Sequence, residues 1–284
     1  MEMVARTKIP RAEARIKRAE PYARAMRELL TNLTDPHGEP VPLATPHDEE
    51  RNALVIVVSA DRGLAGRFNV SVLKQAEELI VRLRTAGKHV DLAVSGKVGI
   101  RYFEYRGEKP VMAFRDCSEN PRTEIADTIS DYMVNHYLDG SLDECWAVYN
   151  HHKNAVEQIP VSWQLMPIDM GMFSSQRVQL GNIGISAPDP RLKHMEGKVN
   201  YEPSREFVLE RLLPEYLAGY LFYMLINSSA GEQVSRQAAM RSATDNADEI
   251  LEDLHLLYNH LRQDSITNEI NEIVGGAEAL RAEQ

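Results

Sequence analysis

Ala53-Leu54-Val55-Ile56-Val57-Val58-Ser59 is a run of β-branched and aliphatic residues, too short for a helix and apolar on both faces. Apolarity without alternation marks a strand buried on two sides, as in a parallel sheet covered by helices. The turn Ala60-Asp61-Arg62-Gly63-Leu64-Ala65-Gly66-Arg67-Phe68-Asn69 follows, then a helical pattern from Val70 to Thr85 closed by Gly87. The same order repeats downstream: Val90 to Val94 reads as a strand, Lys97 to Tyr105 and Arg122 to Leu138 as helices, Cys145 to Tyr149 and Val161 to Met166 as strands. Alternation of this kind predicts an α/β fold, a Rossmann-like open sheet over residues 53–206. Its last part, Pro167 to Pro203, lacks periodicity and is rich in Gly, Ser and Pro, which predicts an irregular excursion.

Outward from this domain, both ends read as long helices. Ile9, Ala12, Ile16, Ala19, Ala23, Met26, Leu30 and Leu33 alternate steps of three and four, an a/d seam that predicts a helix over residues 1–34. Pro10 and Pro21 lack an N–H and crowd the carbonyl four residues back, so a start near Pro10 and a kink near Pro21 are expected. Residues 35–52, with Pro36, Gly38, Pro40, Pro42 and Pro46, read as a linker. Residues 207–284 form the second helical segment, and between Gly231 and Gly275 there is neither proline nor glycine. That stretch alone would be roughly 65 Å long as a helix, against a diameter of roughly 50 Å for a globule of this chain length. It does not fit inside a globular body. Ala247, Ile250, Leu254, Leu257 and Leu261 continue the three-four stepping, and Ile266, Ile270 and Ile273 resume it after a jump of five. The small residues Ala238, Ala239, Ser242, Ala243 and Ala247 would admit a close neighbour. Pairing of the two ends as an antiparallel coiled coil is the simplest use of two seams.

Charge follows the same division. The 284 residues carry a net charge of -10, which argues against general binding of nucleic acid. The first 34 residues nevertheless hold eight basic side chains against four acidic, and residues 231–284 hold eleven acidic against four basic. Two solvated helix faces of opposite sign would account for this, as would ends that pair with each other or with different partners. Cys117 and Cys145 are the only cysteines, too far apart in sequence for a metal or redox motif, and they fit a reducing, cytosol-facing compartment. No stretch approaches the roughly 20 apolar residues of a membrane span, and no signal peptide is visible at Met1.

Chemistry is sparse. Gly63 and Gly66 give GxxG where a dinucleotide site needs GxGxxG, and Gly96-Lys97 lacks the glycine and hydroxyl of a P-loop, so the turn after Ser59 reads as structural. His151-His152 would point to opposite faces of an extended segment and cannot chelate one ion together; a solvated loop is expected there. Asp245, Asp248, Glu249, Glu252 and Asp253 lie on a helix face without the dry cleft that acid-base pairs need. No catalytic residue, cofactor site or metal site is expected.

Tyr258-Asn259-His260-Leu261-Arg262-Gln263-Asp264-Ser265-Ile266-Thr267-Asn268-Glu269-Ile270-Asn271-Glu272-Ile273-Val274-Gly275 closely resembles the C-terminal signature of the gamma subunits of bacterial-type rotary F-type ATP synthases. Ser59 to Asn69, Met1 to Ala5, Arg18 to Tyr22 and Met240 to Asp248 resemble further segments of that family, in the same order. The resemblance implies a non-catalytic central-stalk subunit, its coiled coil rotating inside a ring of three alpha and three beta subunits. It implies an α/β foot against the epsilon subunit and the membrane rotor ring (the c-ring), on the cytoplasmic face of the cell inner membrane. Carried over by match, Arg262, Gln263, Thr267, Glu269 and Glu272 would contact the beta subunits, and Tyr201 and Glu202 would lie in the foot near the rotor ring. The family pattern also has a basic segment ahead of the motif at Met1, so a shorter first helix or an upstream start is expected. Pro10 and Arg67 depart from the family's usual residues. A soluble α/β ligand-binding protein or enzyme with a helical dimerisation element is the alternative; it would require a cleft with convergent polar groups at the carboxyl edge of the sheet.

Overall fold

The computed structural model describes residues 2–33, 41–153, 158–173 and 201–282. The chain divides into two units, Met1–Ala238 and Ala239–Gln284.

At the centre of the first unit is a five-stranded sheet in the order β3-β2-β1-β4-β5. Its strands are β1 (Asn52–Val58), β2 (His89–Ser95), β3 (Met112–Phe114), β4 (Glu144–His152) and β5 (Gln158–Met166). The first four are parallel to their neighbours, and β5 runs antiparallel on the edge beside β4. The two-sided apolarity of β1 is used residue by residue. Ala53, Val55 and Val57 face a core shared with α2 (Phe68–Thr85) and α3 (Lys97–Tyr105). Leu54, Ile56 and Val58 face a second core with α4 (Thr123–Leu138) and the long terminal helices. Period-two alternation thus splits one strand between two helical layers.

The N-terminal helix α1 spans Glu2–Leu33 with Pro10 and Pro21 inside it. The expected start near Pro10 is therefore corrected. Ala5 and Ala12, on either side of Pro10, are buried, and packing of this kind outweighs the cost of about 3 kcal/mol that a mid-helix proline carries. The C-terminal helix α5 spans Arg205–Ala282, beginning ahead of Pro214. In the first unit the two helices run antiparallel. Arg205 Nε donates to the Leu33 carbonyl at 2.6 Å and Tyr201 Oη to that of Asn32 at 3.2 Å, while Gly219 lies against the ring of Tyr22. Met26, Leu30 and Leu33 share one core with Leu209, Leu213, Leu217 and Tyr220.

His151 and His152 are not in a loop. They end β4, where His151 is buried and His152 half-buried. Pairing with β5 carries the strand through both residues, and Asn227 of α5 accepts the His152 N–H at 2.6 Å. Of the expected irregular excursion, residues 174–200 lie outside the described residues, as do 34–40 of the linker; Met170–Phe173 forms a 3-10 turn.

The second unit, as described, is the helix from Ala239 to Ala282. Residues 241–275 are exposed throughout. The small-residue stretch at Ser242, Ala243 and Ala247 therefore has no helix over it within its own unit.

Candidate functional site: a closed sheet edge and an exposed helix

In an open α/β sheet, ligands bind beyond the carboxyl ends of the strands where the strand order reverses. Here that place lies between β1 and β4, and the chain's own groups fill it. Ser59 Oγ donates to the Ser95 carbonyl at 2.8 Å and accepts the Gly99 N–H at 3.0 Å. Asn69 Oδ1 accepts the Ala60 N–H at 2.9 Å, and Asn150 Nδ2 donates to the Phe68 carbonyl at 2.7 Å. Helix α5 closes the remainder. Asn227, Ser228, Ser229, Glu232 and Gln233 are all buried, an unusual density of polar groups for a helix interior. A Cβ on Gly231 would stand 3.5 Å from both Phe68 and Gln158. The cleft that a ligand-binding alternative requires is occupied by helix.

The turn after β1 is built around Asp61. Its Oδ1 accepts the N–H groups of Lys97 at 3.0 Å and Asp116 at 2.9 Å, and its Oδ2 that of Ser118 at 2.8 Å. Burial works to raise the Asp61 pKa, but the backbone donors of Ser118, Lys97 and Asp116 together outweigh it and hold the carboxyl below its ordinary value. The carboxylate also stands at the N-terminus of α3, where a negative charge is favourable. Gly96 has φ +99°, and a Cβ there would come within 2.2 Å of the Ser59 carbonyl oxygen. Only glycine serves.

The loop held by Asp61 grips both terminal helices. From α1, Lys8 Nζ reaches Glu119 at 2.5 Å, and Arg15 donates to the Glu119 carbonyl at 2.9 Å and to Asn120 Oδ1 at 2.5 Å. From α5, Arg236 donates to Glu232 at 2.5 Å and, at 3.5 Å, to the Gly63 carbonyl in the turn. Burial raises the Glu232 pKa, and Arg236 works against that rise. None of Lys8, Arg15, Glu119, Arg236 and Glu232 is singled out by sequence pattern. The i,i+4 spacing of Glu232 and Arg236 on a helical stretch is the one signal available.

The residues expected to meet beta subunits all lie on the exposed second unit. At 100° per residue, Arg262, Glu269 and Glu272 fall on one side of the helix and Gln263 and Thr267 on another. Thr267 Oγ1 donates to the Gln263 carbonyl at 2.8 Å. Around them stand Ile250, Leu254, Leu257, Tyr258, Leu261, Ile266, Ile270 and Ile273, each at least 45% exposed. An apolar surface this long on one helix marks an interaction site. Of the two foot residues, Glu202 is exposed, whereas Tyr201 is half-buried with its hydroxyl on the end of α1.

The arrangement defines a class: an α/β domain that grips its own terminal helices and carries, on one of them, a long apolar surface. The chain matches the family model described as ATP synthase over residues 1–280. It is 35% identical to the ATP synthase gamma chain of Kineococcus radiotolerans, over 99% of this chain and 90% of that one. To the gamma chain of Chloroherpeton thalassium it is 37% identical, over 99% and 91%. Among solved structures it resembles the Tetrahymena thermophila mitochondrial ATP synthase central stalk and c-ring, with TM-score 0.59 and 21% identity over 86% of this chain and 97% of that one. The chain belongs to the ATP synthase gamma-chain family, and its fold is that of a central stalk.

Proposed function

We propose that this chain is the rotating shaft of a rotary ATP synthase, coupling ion flow through a membrane rotor to ATP synthesis or hydrolysis on other subunits. The exposed helix would stand inside a ring of three alpha and three beta subunits. The α/β domain would rest on the epsilon subunit and the c-ring, at the cytoplasmic face of the cell inner membrane. No helix among the described residues is long and apolar enough to cross a membrane, so attachment through the complex is the reading that fits. The chain itself would be non-catalytic. Coupling would be mechanical, because a shaft that contacts each beta conformation differently shifts their equilibrium.

The observation that carries this reading is the unburied apolar surface of residues 250–274. Fully burying a Leu or Ile is worth about 1.5–3 kcal/mol, so a sheath covering half of each of these side chains gains on the order of 1 kcal/mol per residue. Within the reading, Arg262 and Gln263 supply the polar contacts to beta and Glu202 contacts the rotor end. Reconstitution with alpha and beta subunits tests it: a stable complex is expected, with ATP turnover reduced when Arg262 and Gln263 are both replaced by Ala. Failure to form a complex, or turnover untouched by the double replacement, counts against it.

A further inference from the structure

The first unit contains a recess that the shaft role does not use. It lies where α1, the 3-10 turn and α5 meet, open to solvent on one side. Its walls are aromatic. Phe173 packs edge-on against Tyr216 at 5.2 Å, Tyr216 stacks on Tyr220 at 5.8 Å, and Tyr22 lines the opposite side. Gly219 lets the Tyr22 ring pack against α5, since a Cβ there would come within 2.9 Å of the ring.

Arg27 is the one cation lining it among the described residues. Its guanidinium has no hydrogen bond or ion pair to an acidic group among the described residues. Tyr216, Tyr220 and Tyr223 line the recess with it instead. Burial lowers its pKa, the mark of a cation deprived of water. A half-buried charge without a counter-ion is costly, and a planar guanidinium is the side chain best suited to a carboxylate, which it can bind through two N–H groups at once. Aromatic walls around one such group are the makings of a small-molecule site.

We propose that this recess binds a small aromatic carboxylate, its carboxylate on Arg27 and its ring between the aromatic side chains of α1 and α5.

Ligand-observed NMR titrations of the full chain with benzoate, benzamide, hexanoate and inorganic phosphate test this. Benzoate is expected to bind saturably and at least tenfold more tightly than benzamide, its uncharged counterpart. Arg27→Gln should weaken benzoate at least tenfold and leave benzamide unchanged, with the melting temperature recorded to show that the variant folds. Tyr216→Phe keeps the wall and should weaken benzoate only a few-fold. Equal binding of benzoate and benzamide, or benzoate affinity indifferent to Arg27→Gln, overturns the proposal. Tighter hexanoate would transfer the site to an alkyl acid such as a lipid fragment, and tighter phosphate to a plain anion; either also overturns it. Should Arg27→Gln fail to fold, Ala23→Leu, which adds bulk to a lining position, must weaken benzoate at least tenfold, and unchanged binding then refutes the assignment.

Discussion

Replacing Asp61 by Asn keeps size and shape while removing charge and one acceptor. Three backbone N–H groups converge on the carboxylate at 2.8–3.0 Å, two on one oxygen and one on the other. An asparagine offers a single oxygen, so either the Ser118 N–H or the Lys97 and Asp116 pair would face an NH₂ group, donor against donor. Loss of a hydrogen bond to a charged group with a donor left unpaired costs about 1.5–3 kcal/mol. For a chain of this size that lowers the melting temperature by about 3–10 °C. Melts followed by circular dichroism at neutral pH read the shift, and the pH dependence supplies a second test. The folded-state pKa of Asp61 lies below its ordinary value of 3.8, so its ionisation stabilises the fold above that value and the contribution is lost as pH falls through the lower, folded-state pKa. The gap between wild type and Asp61→Asn should therefore be full at pH 7 and shrink below about pH 4. A variant that melts with wild type at neutral pH, or a gap unchanged in acid, would refute the account of this turn.

Further outcomes follow from burial and backbone geometry. Leu213 is fully buried between α1 and α5 whereas Leu257 is 55% exposed, so in the isolated chain Leu213→Ala should cost about 2–5 kcal/mol in urea unfolding and Leu257→Ala within about 0.5 kcal/mol; comparable losses would show that the second unit is packed. Gly96→Ala, with φ +99° and a Cβ overlapping the Ser59 carbonyl, should destabilise by about 3 kcal/mol or more, measured the same way. Burial lowers the pKa of both His151 and His152. The unfolded chain then binds more protons, and stability should decline as pH drops below about 6.5; a His151→Gln, His152→Gln variant whose melting temperature falls just as steeply between pH 7 and 5 would remove these histidines as the cause.

Much of the α/β domain is legible in single segments, because β1, α3 and α4 each carry their own periodicity and end signals. The differences arise where distant parts of the chain decide. Met112–Phe114 is three residues long and pairs only with Ala93–Ser95, too short to show a period. The histidine pair reads as a polar loop until pairing with Ile159 and Gln158 of β5 carries β4 over it. Pro10 looks like a helix boundary because the burial of Ala5 and Ala12 is a tertiary fact. At the site, the turn at Asp61 is recognisable as structural from its failed nucleotide pattern. Its grip on Lys97, Asp116 and Ser118 joins three separate segments, which no single stretch reveals. The exposed apolar helix could be inferred from length alone, since roughly 65 Å of unbroken helix has no place within a globule.

The polar contacts between the sheet edge and the two terminal helices also have a directional meaning. Lys8, Arg15 and Arg236 meet Glu119, Asn120 and Gly63 at the periphery of their helices, away from the helix axes. Interlocked apolar side chains resist separation and sliding where they are packed. Bonds placed at a radius oppose twist. They would add to the apolar packing as a key adds to the fit between an axle and the wheel mounted on it.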